Sequence, residues 1–167
     1  MKNKQKVEWS EVERSMRDAE KDGEREIHNS VWSKLSECSL GSPNELQWFE
    51  VFFEKNDLNK LHVIGSCDWK ESFGTYSAMG IKNRVETLDN DPSEHLKRCN
   101  DLGEYFRKGK TLPSPILVCS NISSYIVCID GNHRMIGLMK ANKLTNQPVY
   151  IGVHENIKNF YWYKNVF

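Results

Sequence analysis

The chain has 167 residues, 38% of them hydrophobic, and its 23 basic and 23 acidic side chains cancel, with a pI near 7.0. That length suits one domain with an added segment, and such a chain buries roughly 68–70% of its unfolded surface without needing disulfide or metal staples. A net charge of zero excludes a strongly basic nucleic-acid binder and a polyanionic solvating protein. No apolar run approaches the ~20 residues of a membrane-spanning helix, so no membrane partner is expected. The basic start Met1-Lys2-Asn3-Lys4-Gln5-Lys6 leads into Val7-Glu8-Trp9-Ser10-Glu11, not into the apolar stretch of a secretory signal. The five cysteines are Cys38, Cys67, Cys99, Cys119 and Cys128, without a C-x-x-C pair. They point to reduced thiols in a cytoplasmic protein and away from a zinc site.

Residues 1–60 read as a helical N-terminal extension. Ser10-Glu11-Val12-Glu13 has capping-box spacing, and Val12, Met16 and Ala19 follow at helical steps. Gly23 weakens that helix, and Ile27, Val31 and Leu35 resume an apolar face. Ser42-Pro43-Asn44-Glu45 predicts a helix start, followed by Leu46, Trp48, Phe49, Phe52 and Phe53. This aromatic stretch is either an oligomer surface or part of the core.

Residues 61–167 read as the main domain. Leu61 to Gly65 predicts a short strand, and 65–80 is turn-rich. Residues 81–88 predict a loop or edge strand. Asp91-Pro92-Ser93-Glu94 starts an amphipathic helix with Leu96, Cys99, Leu102 and Phe106 on one face, ended by Gly109. Pro115 to Cys119 and Tyr125 to Ile129 predict a β-hairpin around Asn121-Ile122-Ser123-Ser124. A helix begins near His133, and Pro148 to Val153 forms a last strand. Phe160-Tyr161-Trp162-Tyr163 predicts a short strand or an interaction patch. The expected class is α+β, with a small mixed sheet.

The strand-turn-helix Ile126-Val127-Cys128-Ile129-Asp130-Gly131-Asn132-His133-Arg134 carries the most chemistry. An apolar strand delivers a glycine to a helix start, where outward N–H groups and the helix dipole favour an anion. Gly131 lets a ligand approach the backbone. His133 and Arg134 add charge-assisted donors for phosphate oxygens. Asp130 is placed to bind a metal ion or accept a proton. The competing reading is a structural turn, with Asp130 as cap and Arg134 in a surface ion pair.

Leu112-Pro113-Ser114-Pro115-Ile116-Leu117-Val118, the Tyr125 to Arg134 stretch, the helix after it and Gln147-Pro148-Val149-Tyr150-Ile151 together resemble the ParB/sulfiredoxin-like superfamily. The likeness covers about residues 80–153. It implies nucleotide phosphates held at Gly131, Asn132, His133 and Arg134, with ATP or CTP and Mg²⁺ as cofactors. It further implies phosphoryl transfer or NTP hydrolysis, with Asp130, His133 and Arg134 as catalytic residues and Asp130 as metal ligand. Lys82 and Arg84, just before the capped helix, would add cations against the phosphates. The partner would be a small-molecule or protein phosphate acceptor.

Two departures limit the likeness. Asn132 stands where sulfiredoxin has its cysteine, so that thiol chemistry is not available at the turn. The helical DNA-reading domain that follows in ParB proteins has no counterpart before Phe167. Glu86 and Asp89 are alternative bases to Asp130. A DNA-associated regulator or interaction module of bacterial or phage type, weakly bound to DNA, is the second reading; a ParB-like nuclease is the third.

The remaining candidates have plainer readings. Ser72, Gly74 and Thr75 suit a turn better than an anion nest. Trp69 and Tyr76 suit packing better than base stacking. His62 is a core or edge residue, His28 and His95 are surface helix residues, and His154 shows no sequence partner. Cys67-Asp68 with a distant histidine is the least supported nucleophile pair.

Overall fold

A computed structural model of the protein describes residues 1–21, 35, 40, 42–87 and 93–166. Ile27, Val31, Asp89, Asp91 and the expected helix break at Gly23 lie outside the described residues. The six strands among the described residues are β1 (Lys2–Val7), β2 (Gln47–Phe52), β3 (Leu61–Val63), β4 (Ile116–Cys119), β5 (Ile126–Asp130) and β6 (Val149–Val153). The helices are α1 (Trp9–Lys21), α2 (Cys67–Phe73), α3 (Ala78–Thr87), α4 (Glu94–Arg107), α5 (Asn132–Lys140) and the single turn α6 (Tyr161–Lys164). The class is α+β, as expected, with one mixed sheet ordered β1-β2-β6-β4-β5-β3. β1, β2 and β6 run antiparallel in sequence, β4 pairs β6 in parallel and β5 in antiparallel fashion, and β3 pairs β5 in parallel.

The central strands are buried on both faces, which is why they read as continuous apolar runs. Leu117, Cys119, Ile126 and Cys128 face α2–α5 together with Val149 and Ile151. Ile116, Val118, Val127 and Ile129 face the opposite way, against Val12 and Met16 of α1 and the C-terminal Ile157, Phe160 and Tyr163. Full burial of one such aliphatic side chain contributes about 1.5–3 kcal/mol. The hairpin and the α4, α5 and β6 elements follow the sequence expectation. Cys119 and Cys128 lie inside these strands, and burial pushes the Cys99 and Cys119 thiols up to about 12.

Four local expectations are corrected. The helix expected after Pro43 is a 3-10 turn, Pro43–Glu45, followed by strand β2. Ser42 does cap it, its Oγ accepting the Asn44 N–H at 3.1 Å. The run Trp48-Phe49-Glu50-Val51 then alternates between sheet faces, and such aromatic and β-branched residues fit a pleated surface. The first 60 residues are therefore not a helical extension alone: β1 and β2 are members of the common sheet. Residues 78–87 form α3 instead of a loop or edge strand, because Ala78, Ile81 and Val85 present one buried helical face. The turn-rich stretch contains α2, with Trp69 and Phe73 buried one turn apart and Gly74 closing it at φ 66°. The aromatic tail forms the helical turn α6; the Tyr163 hydroxyl donates to the Tyr125 carbonyl at 2.9 Å and holds it to the sheet.

α4 and α5 pack closely because glycines permit it. A methyl group on Gly137 would lie 2.8 Å from Leu102 Cβ and 3.1 Å from the Gly103 backbone nitrogen. Gly137→Ala is expected to destabilise the fold by about 1–3 kcal/mol through overpacking against backbone, read as a lower urea midpoint at unchanged m-value.

His62 on β3 is a buried residue, as its sequence reading allowed. Its ring packs edge-on against Tyr125 at 5.0 Å, and Nδ1 donates to the Lys60 carbonyl at 3.1 Å. Burial holds its pKa below the ordinary histidine value, outweighing that hydrogen bond. A folded pKa below the unfolded one stabilises the protein above the unfolded value of about 6.5 and is lost as pH falls through the folded value. Between pH 7 and 5, His62→Gln is therefore expected to lose less stability than the wild type, measured by urea unfolding at each pH.

Candidate functional site

β3 and β5 are adjacent and parallel, so their C-terminal ends lie side by side. β3 leads through Ile64-Gly65-Ser66 into α2, and β5 leads through Gly131 into α5. The first turn of α4 joins them. Asp68, His95 and His133 are each the second residue of their helix, and they meet.

His95 Nδ1 is 2.7 Å from His133 Nε2, and His95 Nε2 is 3.2 Å from Asp68 Oδ2. The Ser66 hydroxyl donates to the other Asp68 oxygen. Trp69 lies against both imidazoles, with ring centroids 4.6 Å from His95 and 4.9 Å from His133. Burial pushes the Asp68 carboxyl up, but hydrogen bonds from Ser66, the Trp69 N–H and His95, with the charge of His95, hold it below the usual carboxylate range. An ionised Asp68 accepts the His95 Nε2–H. His95 Nδ1 then faces His133, and only one proton fits on the line between the two rings. On His133 Nε2 it leaves His95 neutral; on His95 Nδ1 it makes His95 a cation beside Asp68.

At the turn itself, Gly131 is left-handed at φ 82°, ψ 29° and caps α5 without a side-chain hydrogen bond. The helix ladder begins with the Met135 N–H to the Gly131 carbonyl at 2.8 Å, so the preceding amides lie ahead of the ladder. Arg134 folds back over the glycine. A methyl on Gly131 would lie 2.7 Å from Arg134 Nη2. Nη2 donates to Asp130 Oδ2 at 2.5 Å, and both side chains are largely buried. Arg134 Nε–H is buried and has no hydrogen-bond partner among the described residues.

The structure thus brings Asp130, Gly131, Asn132, His133 and Arg134 together as one turn, with different duties. Asp130 is held by Arg134. Asn132 Oδ1 accepts the Ile64 N–H at 3.0 Å and so ties the β5–α5 turn to the end of β3. Lys82 and Arg84 lie on α3, where Lys82 pairs with Glu86 at 2.9 Å and Arg84 lies over Gly74. No described hydrogen bond joins either to the turn. Thr75 Oγ1 accepts the Ser77 N–H, a plain turn contact.

Sequence reasoning read His95 as a surface residue and weighed Asp68 only in a least-supported pair of Cys67-Asp68 with a distant histidine. His95 stands 27 positions from Asp68 and 38 from His133, and no local spacing marks such a contact. The available signal was positional: each follows a helix start.

An anionic phosphate fits the turn by its donors, namely helix-start amides, the arginine fork and a buried Nε–H lacking an acceptor. Among the described residues no group of three or more His, Cys, Asp or Glu side chains is arranged to hold a metal ion. Asp130 would contribute one carboxylate to a Mg²⁺ carried by phosphates. Compared with family models, with curated proteins and with solved structures, the chain matches none. No described helix is long and apolar enough to cross a membrane.

Asn132→Ala leaves the Ile64 N–H without its acceptor and is expected to cost about 1–3 kcal/mol. Asn132→Asp keeps an acceptor and should recover most of that loss, measured by urea unfolding.

Proposed function

We propose that the protein is a nucleotide-binding enzyme of the ParB/sulfiredoxin-like type, acting at a phosphate bond held against the Asp130–Arg134 turn. The observation that carries this reading is the buried Arg134 Nε–H, which lacks an acceptor among the described residues, beside the left-handed glycine and the start of α5. A buried donor left unpaired costs about 1–3 kcal/mol, and a phosphate oxygen would satisfy it. The sequence likeness over residues 80–153 supports the same place.

The amides ahead of the α5 ladder and the Arg134 guanidinium hold phosphate oxygens. Asp130 fixes the guanidinium plane through its ion pair, and Asn132 fixes the turn against β3. Mg²⁺, when bound with the nucleotide, neutralises phosphate charge. Positioning and charge neutralisation account for most catalysis in phosphoryl transfer. The acceptor is a small hydroxyl compound, a protein hydroxyl or water.

The test is thermal unfolding with ATP, ADP, CTP and GTP, each with and without Mg²⁺. A nucleotide at 100 times its Kd adds about 2.7 kcal/mol of stability. Arg134→Ala, compared with its own ligand-free state, should lose that shift. No shift with any nucleotide in the wild type would reject the reading.

A further inference from the structure

We infer that Asp68, His95 and His133 form the acid–base relay of this site: the imidazole pair takes the proton of the attacking hydroxyl, and Asp68 balances the charge. The inference rests on the reading of the turn as a phosphate-transfer site, and adds to it a base other than Asp130. Asp130 is occupied by Arg134 at 2.5 Å, whereas the imidazole pair begins one residue beyond Asn132, on the same helix start.

The geometry suits proton transfer. Two nitrogens 2.7 Å apart share one proton, which moves along the line without moving a ring. Trp69 packs against both rings, which lie edge to edge with centroids 4.9 Å apart and 15° between their planes. Asp68 orients His95 through Nε2 and stabilises it when it becomes a cation, as the acid of an Asp–His pair does. Both imidazoles are partly exposed.

The acceptor O–H bond breaks and its proton enters the imidazole pair. The acceptor oxygen bonds to the terminal phosphorus. The bond from that phosphorus to the bridging oxygen breaks, and its electron pair leaves with the nucleoside diphosphate. The pair then releases its proton to solvent. His133, within the phosphate turn, is the catalytic residue; His95 and Asp68 are positioning residues.

The experiment measures phosphate release from ATP and CTP with Mg²⁺, and nucleotide affinity by calorimetry, across pH 5–9. The proteins are the wild type, Asp68→Asn, His95→Gln and Arg134→Ala. The wild-type rate should fall on the acid side with an apparent pKa belonging to the pair. His95→Gln should slow turnover about 100-fold with nucleotide affinity changed less than about threefold. Asp68→Asn, isosteric and half exposed, keeps the fold and should slow turnover about tenfold or more. Removing the anion should also move the acid limb to lower pH, which a merely structural role would not do.

Three outcomes overturn the relay while leaving the nucleotide site standing. In the first, nucleotide binds and Arg134→Ala abolishes binding, yet neither relay variant alters the rate or the acid limb. In the second, the variants lose rate only as they lose affinity. In the third, the wild type binds nucleotide and releases no phosphate. A wild type that binds no nucleotide overturns the site itself, and the relay's catalytic role with it.

Discussion

The hydrogen bond from the Ile64 N–H to the Asn132 side chain is the joint on which the site depends. It links two strand ends that are adjacent only because β3 and β5 pair in parallel. Parallel pairing places both following helices at the same edge of the sheet. α2 and α5 therefore start side by side, with Trp69 packed against the imidazoles of α5 and α4. Without that pairing Asp68 and His133 would have no reason to share a site.

The turn at Gly131 combines two demands in one residue. The backbone needs a positive φ, and the Arg134 side chain needs the space where a Cβ would stand. The guanidinium is thereby drawn over the helix start and locked by Asp130, with Nε left lacking an acceptor. An arginine so placed is preorganised for an anion and loses little freedom on binding it. The ion pair read from the sequence as a structural alternative is present, but its partner is Asp130 of the same turn.

Sheet and site share a packing logic. α4 and α5 approach closely at Gly137 and Gly103, and this contact carries His95 toward His133 at the helices' shared end. On the other face, α1 and the C-terminal segment cover the sheet, and β1 and β2 extend it beyond β6. The site lies on the face of the longer helical layer, where three helix starts converge.

Much of this was legible in the residues. The apolar runs of β4, β5 and β6, the face of α4 and the Gly131 turn follow from local periodicity and from the conformations that glycine permits. Local signals failed where one pattern suits two structures. The aromatic run after Pro43 satisfies a helix or a two-faced strand, and the antiparallel partners β1 and β6 decide for the strand. Ile81 and Val85 stand at a helical spacing that only packing against the sheet made decisive. That His133 meets His95 and Asp68 was beyond any such reading. Their meeting is set by the parallel β3–β5 pair and by the close α4–α5 contact, and those depend on residues far apart in the chain. By itself the sequence determined the turn and the charged groups it carries, because backbone conformation and charge are local. Only the tertiary structure decided which imidazole and which carboxylate stand beside it, because that depends on how the helices dock.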